Sequence, residues 1–533
     1  MFDYVVLGAG SAGCTVAGLL SEDPKVRVLL LEAGPPPSNP WIRIPAGLPR
    51  VLATGKYNWS MMGEPSKCAN GRVEPIVHGK TLGGGSAING MVYMRSYAAA
   101  YEAWADFGVE GWDWPEVLEA FRRIEGHEDG ASAMHGGDGP LRISKLSYHH
   151  PSAAAFVKAG ATLGARQTSD LNDGESADSV GLVQLSVDRG RRCSSYEAFI
   201  RPHLKRPNLE VVTNALVRRV VVENGRAVGA EYEIDGEIKI ARSQREVIVS
   251  CGAINSPHVL QLSGVGPADE IRKHGVPVTC DLPAVGRNLQ DHAMVWARAE
   301  TPRSGSMNRD LEGLPVLLQG VRYLITRKGP IATGASQAVA MIRSQPDLSY
   351  PDLQVGFRPF TVMPNKHGVP ITRPDNSISS CSILLQPKSR GSIRLRSADP
   401  RERPAVDLNF LSAPEDVETL LFGLRWMQRL YQSAPLKEIA RGVQPEPQAD
   451  DSALRDFIRE TVMSLGAHAA GTCAMGREGP DAVVDERLRV HGVAGLRVAD
   501  ASVMPRVSAG NTNAPSIMIG ARAAEFIRAD WRN

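Results

Sequence analysis

Six residues near the start, Gly8-Ala9-Gly10-Ser11-Ala12-Gly13, constrain the fold more than any other stretch of the 533-residue chain. Before them, Asp3 to Leu7 is a short apolar, β-branched run that reads as a buried strand of a parallel sheet. After them, Ser11 to Ser21 carries Val16, Leu19 and Leu20 in a helical pattern that Asp23-Pro24 stops. Lys25 to Leu31 forms a second strand leading to Glu32, 19 residues past Gly13. In this setting each glycine has a task. Gly8 permits a tight turn, Gly10 lets the backbone approach a pyrophosphate, and Gly13 lets helix and strand pack closely. The helix N-terminus offers free N–H groups and partial positive charge to the anion. Glu32 is placed to accept hydrogen bonds from the ribose hydroxyls of an ADP moiety. The unit predicts a dinucleotide site and leaves FAD and NAD open.

Gly79 to Gly90, GKTLGGGSAING, is the next dense feature. Adjacent glycines leave backbone amides uncovered, so the stretch suits a flat ligand or a phosphate. The apolar Met91 to Met94 that follows argues against a slack loop. Val247 to Ser250 predicts another buried strand, running into Cys251-Gly252-Ala253-Ile254-Asn255-Ser256-Pro257. Ser256 and Pro257 suit the cap and first position of a helix through Val259, Leu260 and Leu262 to Ser263-Gly264. Strand–turn–helix logic thus recurs late in the chain.

Bulk properties exclude several classes. The length calls for more than one structural domain. A net charge of +2, with no block of like charges, gives no sign of nucleic-acid or anionic-membrane binding. The seven cysteines are scattered without a CxxC pair, which argues against a disulfide framework or a zinc site. No HxH or HExxH spacing appears, so no metal is expected. No apolar run approaches the roughly 18 residues of a membrane span. The first strand begins at Asp3, with no signal peptide before it, so cytoplasmic residence is the expectation.

With these residues in view, the chain resembles the glucose–methanol–choline family of FAD-dependent oxidoreductases. GAGSAG with Glu32, GKTLGGGSAING, GAINSPHVLQLSGVG, His468-Ala469-Ala470-Gly471-Thr472 and DASVMPRVSAGNTNAP (Asp500 to Pro515) match family signatures in family order. The resemblance implies a fold that is α/β and α+β: a Rossmann-like FAD-binding domain with a discontinuous substrate-binding domain built on an antiparallel sheet and helices. It implies that Gly8, Gly10, Ser11, Gly13 and Glu32 hold the ADP half of FAD. Leu82, Gly83, Ser86, Asn89 and Gly90 would line the flavin and pyrophosphate. The backbone of Val217, in the strand-like Val211 to Val222, would meet the adenine. Asp500, Ala501 and Asn513 would contact the pyrophosphate, ribityl chain and isoalloxazine edge. His468 and Asn511 match the catalytic pair. Ile88 stands where relatives with covalent flavin carry histidine, which implies non-covalent FAD. Ala474 stands where many relatives carry arginine, which leaves the charge near that turn open.

The signatures divide the chain into FAD-binding parts at 1–155, 205–295 and 460–533 and substrate-domain parts at 156–204 and 296–459. Ser377 to Leu385 and Gly391 to Leu395 predict antiparallel strands, and Glu415 to Ser433 a helix. Residues 35–75, rich in Pro and Gly, are expected to form a loop segment over the flavin.

The resemblance implies oxidation of a primary alcohol to an aldehyde by hydride transfer to flavin N5, with oxygen or a quinone-like carrier taking the electrons. The protein must then accept the hydroxyl proton and hold the incipient alkoxide. A neutral histidine suits the first task, which assigns His468 as base. An amide donor suits the second, which assigns Asn511 as its partner. Alone, His468 reads as a core histidine; the small Ala467, Ala469, Ala470 and Gly471 around it leave room for a substrate. His78 and His149-His150 read as loop residues. Two alternatives stand beside alcohol oxidation in general: a choline dehydrogenase- or oxidase-like enzyme, and a flavin-containing hydroxynitrile lyase. Ile331 to Pro346 holds no acid and aromatic content is 6%, which disfavours a choline cage. An uncharged aryl, furanic or aliphatic primary alcohol is the first expectation, with Trp296, Phe357 and Phe360 as candidate walls.

Overall fold

The computed structural model describes residues 1–364, 370–464 and 468–531. The chain passes repeatedly between two sheets. It opens in the first with β1 (Phe2–Leu7), α1 (Ser11–Leu20) and β2 (Val28–Leu31). It visits the second through α2 (Pro151–Thr162) and β3 (Ser179–Leu182). It returns with β4 (Leu209–Val212), β5 (Leu216–Glu223), β6 (Arg226–Ile234), β7 (Glu237–Val249) and α3 (Gly252–Leu262). It leaves again through β8 (Ala293–Glu300), α4 (Gly313–Thr326), β9 (Ala338–Ile342), β10 (Leu353–Arg358), β11 (Ser377–Leu384) and α5 (Pro414–Gln432). Finally β12 (Leu496–Val498) and α6 (Asn513–Asp530) rejoin the first sheet.

The heart of the first sheet is parallel, in the order β4-β2-β1-β7-β12. Its strands are near-continuous apolar runs because both faces are covered. Val5, Val6, Leu7, Val28, Leu30, Val247, Ile248 and Val249 are all fully buried. Strand β7 serves twice. Its first half pairs antiparallel with β6, and its second half lies between β1 and β12.

The second sheet runs β8-β11-β10-β9-β3 through antiparallel neighbours. Alternation along β10 decides what each face does. Leu353, Val355 and Phe357 join a core with Phe156 of α2 and Leu420 and Leu424 of α5. Gln354, Gly356 and Arg358 point the other way. Helix α4 stands apart. It is tied down through the Tyr323 hydroxyl, which donates to Gly190 O at 2.9 Å, and it turns Leu314, Leu317, Leu318, Leu324 and Ile325 to solvent.

Several sequence expectations need correction. Val211 to Val222 is two strands, not one, because Asn214 takes a left-handed turn (φ 56°) that moves the chain from a parallel to an antiparallel neighbour. Helix α3 begins at Gly252, so Ser256 and Pro257 lie inside it rather than at its start. Proline lacks the N–H that would serve Ala253 O. The Thr472 hydroxyl serves it instead, at 2.5 Å. Ser392–Arg394 pairs with Ala405–Asp407 in a separate ribbon, outside the large sheet. His150 is buried and caps α2, its ring accepting from Ser152 N.

Residues 125–170 contain a buried charge network that spacing did not reveal. Ligand-type atoms of Glu125, His127 and His135 lie within 4.8 Å of one another. Their nitrogens are already engaged: His135 meets Glu125 at 2.8 Å and Asp170 at 2.7 Å, and His127 meets Gln184 at 3.1 Å. Burial works against a charge on His135, but hydrogen bonds to Asp170 and Glu125 outweigh it, and its pKa rises to about 9. A folded-state pKa above the unfolded value near 6.5 means stability that is complete below that value and lost as pH rises through about 9. The advantage of the native protein over His135→Gln should therefore shrink by up to about 3 kcal/mol between pH 6.5 and pH 10. Denaturant melts of both proteins at the two pH values check this; a constant difference would show that His135 is neutral.

Candidate active site

One cavity of about 380 Å³ lies where the two sheets meet. The glycine turn forms part of its wall. Gly8, Gly10 and Ser11 line it, but Gly13 does not. A Cβ on Gly13 would sit 1.9 Å from Gly8 O, so this glycine makes the close packing of helix on strand possible. A Cβ on Gly10 would meet nothing nearer than Ser250 O at 3.8 Å. The protein itself therefore does not require a glycine there; the space belongs to the cavity.

Two helices aim their N-termini at this space. Ser11 opens α1 and its hydroxyl donates to the Asn513 side chain, at the start of α6, at 2.9 Å. Both ends lack side-chain caps, which leaves backbone N–H groups and helix dipoles facing the cavity, a cradle for a pyrophosphate. Glu32 closes the adjoining wall, its carboxylate accepting from Gly34 N at 2.7 Å and Ala9 N at 3.0 Å. Burial raises its pKa to about 7 against the pull of those two amides. Val217 lines the cavity, together with Ala215 and Leu216. Asp500 and Ala501 line it too. Asp500 accepts from Gly252 N (2.8 Å), Ser256 Oγ (2.5 Å) and Ser502 N (2.8 Å) and so fastens α3 to the C-terminal segment.

The second glycine run divides. Gly84, Gly85, Ile88, Asn89 and Gly90 line the cavity. Leu82, Gly83 and Ser86 stand behind that wall instead. Leu82 is in the core, Gly83 N donates to Ala9 O at 2.7 Å, and Ser86 Oγ meets Ser195 Oγ at 2.9 Å. Residues 35–75 contribute Leu48, Leu52 and Trp59, on short helical turns and a loop rather than a featureless segment. His78, read as a loop residue, also faces the cavity.

At another part of the wall lie His468 and Asn511, with Asn511 Nδ2 3.1 Å from His468 Nε2. Ala467 lies outside the described residues; Ala469 lines the cavity beside His468. Sequence reasoning missed the residues that hold this pair. His292 Nδ1 is 2.9 Å from His468 Nδ1. Asp291 accepts from His292 N at 2.8 Å and Ser464 Oγ at 2.5 Å, and the His468 amide also points to it. Gln354 Nε2 reaches Asn511 Oδ1 at 3.5 Å. Burial, reinforced by His292, holds the His468 pKa well below the usual histidine range. The ring is therefore neutral. With Nε2 accepting from Asn511, its hydrogen sits on Nδ1 and is shared with His292. Trp296 and Phe357 do not line this cavity, and Arg358, which no motif marks, does.

Comparison with known proteins agrees with this geometry. Family models described as GMC oxidoreductase match residues 2–294 and 387–520. The oxygen-dependent choline dehydrogenase of Brucella anthropi is 38% identical over 529 residues, covering 98% of this chain and 95% of the relative. The human mitochondrial choline dehydrogenase is 39% identical over 541 residues, covering 99% and 90%. Among solved structures, pyridoxine 4-oxidase from Mesorbium loti superposes with a TM-score of 0.87 at 30% identity, covering 98% and 99%. The formate oxidase of Aspergillus oryzae superposes with a TM-score of 0.92 at 27% identity, covering 100% and 98%.

The contrast between the two glycines has a measurable outcome. Gly10→Val should fold yet purify without flavin, because its side chain fills only cavity space. Gly13→Val should fail to fold, because it collides with backbone. Flavin absorbance and circular dichroism of both variants check this; a flavin-loaded Gly10→Val would remove the cradle from this wall.

Proposed function

The chain belongs to the GMC oxidoreductase family, and on that premise we propose that it oxidises a primary alcohol to its aldehyde, with His468 taking the hydroxyl proton and Asn511 holding the oxygen. It is an FAD-dependent oxidoreductase acting on alcohols. FAD, when bound, supplies the hydride acceptor. The observation that carries the assignment is the contact of His468 Nε2 with Asn511 Nδ2, at 3.1 Å in the same cavity as the glycine turn.

The division of labour follows from protonation. A neutral His468 with hydrogen on Nδ1 leaves the Nε2 lone pair free to take a proton from a hydroxyl that displaces the Asn511 amide. The same amide then donates to the oxygen as negative charge develops on it. His292 receives the Nδ1 hydrogen and fixes both tautomer and ring plane, as a positioning residue. Asp291 holds the two histidine backbones together.

FAD is held without a covalent bond in this reading, since Ile88 offers the cavity no nucleophile. In the same reading oxygen or a quinone-like carrier is the terminal electron acceptor and the location is cytoplasmic. No helix of the described residues is long and apolar enough to cross a membrane. The relatives named for choline raise that substrate for this chain. A quaternary ammonium calls for a carboxylate or an aromatic cage. The acids on the cavity wall are Glu32 and Asp500, and both are occupied by backbone amides. Among the described residues that line the cavity, Trp59 is the one Trp, Tyr or Phe, fewer than a cage needs. This favours a primary alcohol other than choline.

His468→Ala should retain flavin and lose roughly 10²–10⁴-fold in kcat, the usual worth of a placed general base. Anaerobic mixing with a panel of primary alcohols reads the step directly: bleaching of the flavin by wild type and its near-absence in the variant are expected, and equal rates would remove His468 from the chemistry. A hydroxynitrile lyase would show no bleaching with any alcohol. A lowered pKa keeps His468 neutral to lower pH than usual, so the acid limb of kcat/KM should lie well below the ordinary histidine pKa. A limb centred at or above the ordinary histidine pKa would contradict the buried, neutral base.

A further inference from the structure

Two arginines on the cavity wall, Arg358 and Arg403, have no role in the chemistry above, and Arg403 lies over Trp59, 4.3 Å from its ring centre. Arg358 ends β10, on the face that also presents Gln354 and Gly356. Gln354 touches Asn511. Gly356 between them is buried, and a Cβ there would meet Cys381 Sγ at 3.1 Å and Ser336 Oγ at 3.8 Å. Arg358 and Ser336 both line the cavity, and the Ser336 hydroxyl makes no hydrogen bond among the described residues. The end of this strand therefore puts a guanidinium, and the neighbouring segment a hydroxyl, on the wall of the same cavity that Asn511 lines.

The guanidinium is fixed and unsatisfied. It stacks on Trp296, 4.3 Å from its ring centre, so its plane is held rather than swinging free. Its Nε is sealed from water with no hydrogen-bond partner. No carboxylate among the described residues forms an ion pair with it. A partly buried, unpaired arginine carries a cost unless something else answers it, and burial accordingly lowers its pKa. The partner that matches a planar fork of N–H donors is a carboxylate, taken up in two parallel hydrogen bonds.

We propose that Arg358, with the Ser336 hydroxyl beside it, forms a carboxylate subsite, so that the preferred substrates are primary alcohols bearing a carboxylate at their far end. Gln354, which touches Asn511, and Arg358 are four positions apart, about 13 Å along a strand. A separation of that order calls for a spacer, such as one aromatic ring, between the carbinol and the acid. The subsite replaces the uncharged substrate expected from the sequence, and it opposes choline by charge. It rests on the alcohol-oxidation reading for the end at which the carbinol lies.

The test uses the FAD-loaded enzyme and two probes that differ only in charge, 4-(hydroxymethyl)benzoate and its methyl ester. Wild type should turn over the acid with a kcat/KM at least about tenfold above the ester, the effect expected of one charge-assisted pair. Arg358→Leu should reduce that ratio at least about tenfold, and Arg358→Lys should keep part of it. Binding of 4-methylbenzoate, which cannot be oxidised, is read separately by its perturbation of the flavin spectrum in preparations of matched flavin content. It should weaken at least about tenfold in Arg358→Leu. An acid-to-ester ratio unchanged by Arg358→Leu, or binding of 4-methylbenzoate that ignores the substitution, overturns the subsite. If 4-methylbenzoate binds through Arg358 while no alcohol bleaches the flavin, the subsite stands and the alcohol-oxidation reading falls.

Discussion

Strand β7 is the member on which the site depends. Its last residues pair on one side with β1, which leads into the glycine turn, and on the other with β12, which leads to Asp500. Its own end runs through Ser250 into α3. Three cavity-building turns therefore leave the same edge of one parallel sheet. This is where ligands collect in open α/β sheets, beyond the carboxyl ends of the strands. The Asp500 carboxylate then ties two of those turns together, accepting from the amide of Gly252, the hydroxyl of Ser256 and the amide of Ser502. A strand displaced by one position would separate all of these partners at once.

Two parts of the cavity wall use burial in opposite senses. At the proposed catalytic pair, burial keeps His468 uncharged, and a second uncharged ring, His292, supports it. Near the end of β10 the same apolar surroundings enclose a guanidinium that cannot discard its charge as a histidine can. Neutrality is cheap to maintain in such a place and charge is not. With the proposed role of His468, the same wall carries a neutral proton acceptor and, at Arg358, a fixed cation.

What was legible in the sequence followed the range of the interactions. The glycine turn and Glu32 were readable because their partners are local: Ala9 N and Gly34 N both bond to Glu32 within 23 residues. His468 and Asn511 were found through their motifs, not through any pattern that predicts their contact. Asp291 and His292 carry no such mark, and their contacts span 173 and 176 residues. Gln354 reaches Asn511 across 157 residues, and nothing in the local run distinguishes it from a core strand. Pro257 misled for the same reason. Local rules make it a helix start, and it is tolerated within α3 because Thr472 satisfies the carbonyl it abandons, that of Ala253, from 219 residues away. The loop-like reading of residues 35–75 missed their short turns, which are held by packing around Ile42, Val51, Tyr57 and Ile88 rather than by sequence period.

The interleaving of the two sheets also bears on how the molecule is made. During synthesis β1 and α1 emerge early, but β1 lacks its neighbour β7 until residue 249 has left the ribosome, and β7 lacks β12 until residue 498. The proposed pyrophosphate cradle needs Ser11 and Asn513 together, 502 residues apart. A nascent chain must therefore carry half-built sheets with unpaired edges for most of its translation, when exposed strand edges are prone to mispairing. Cofactor capture is, for this topology, among the last events of assembly rather than the first.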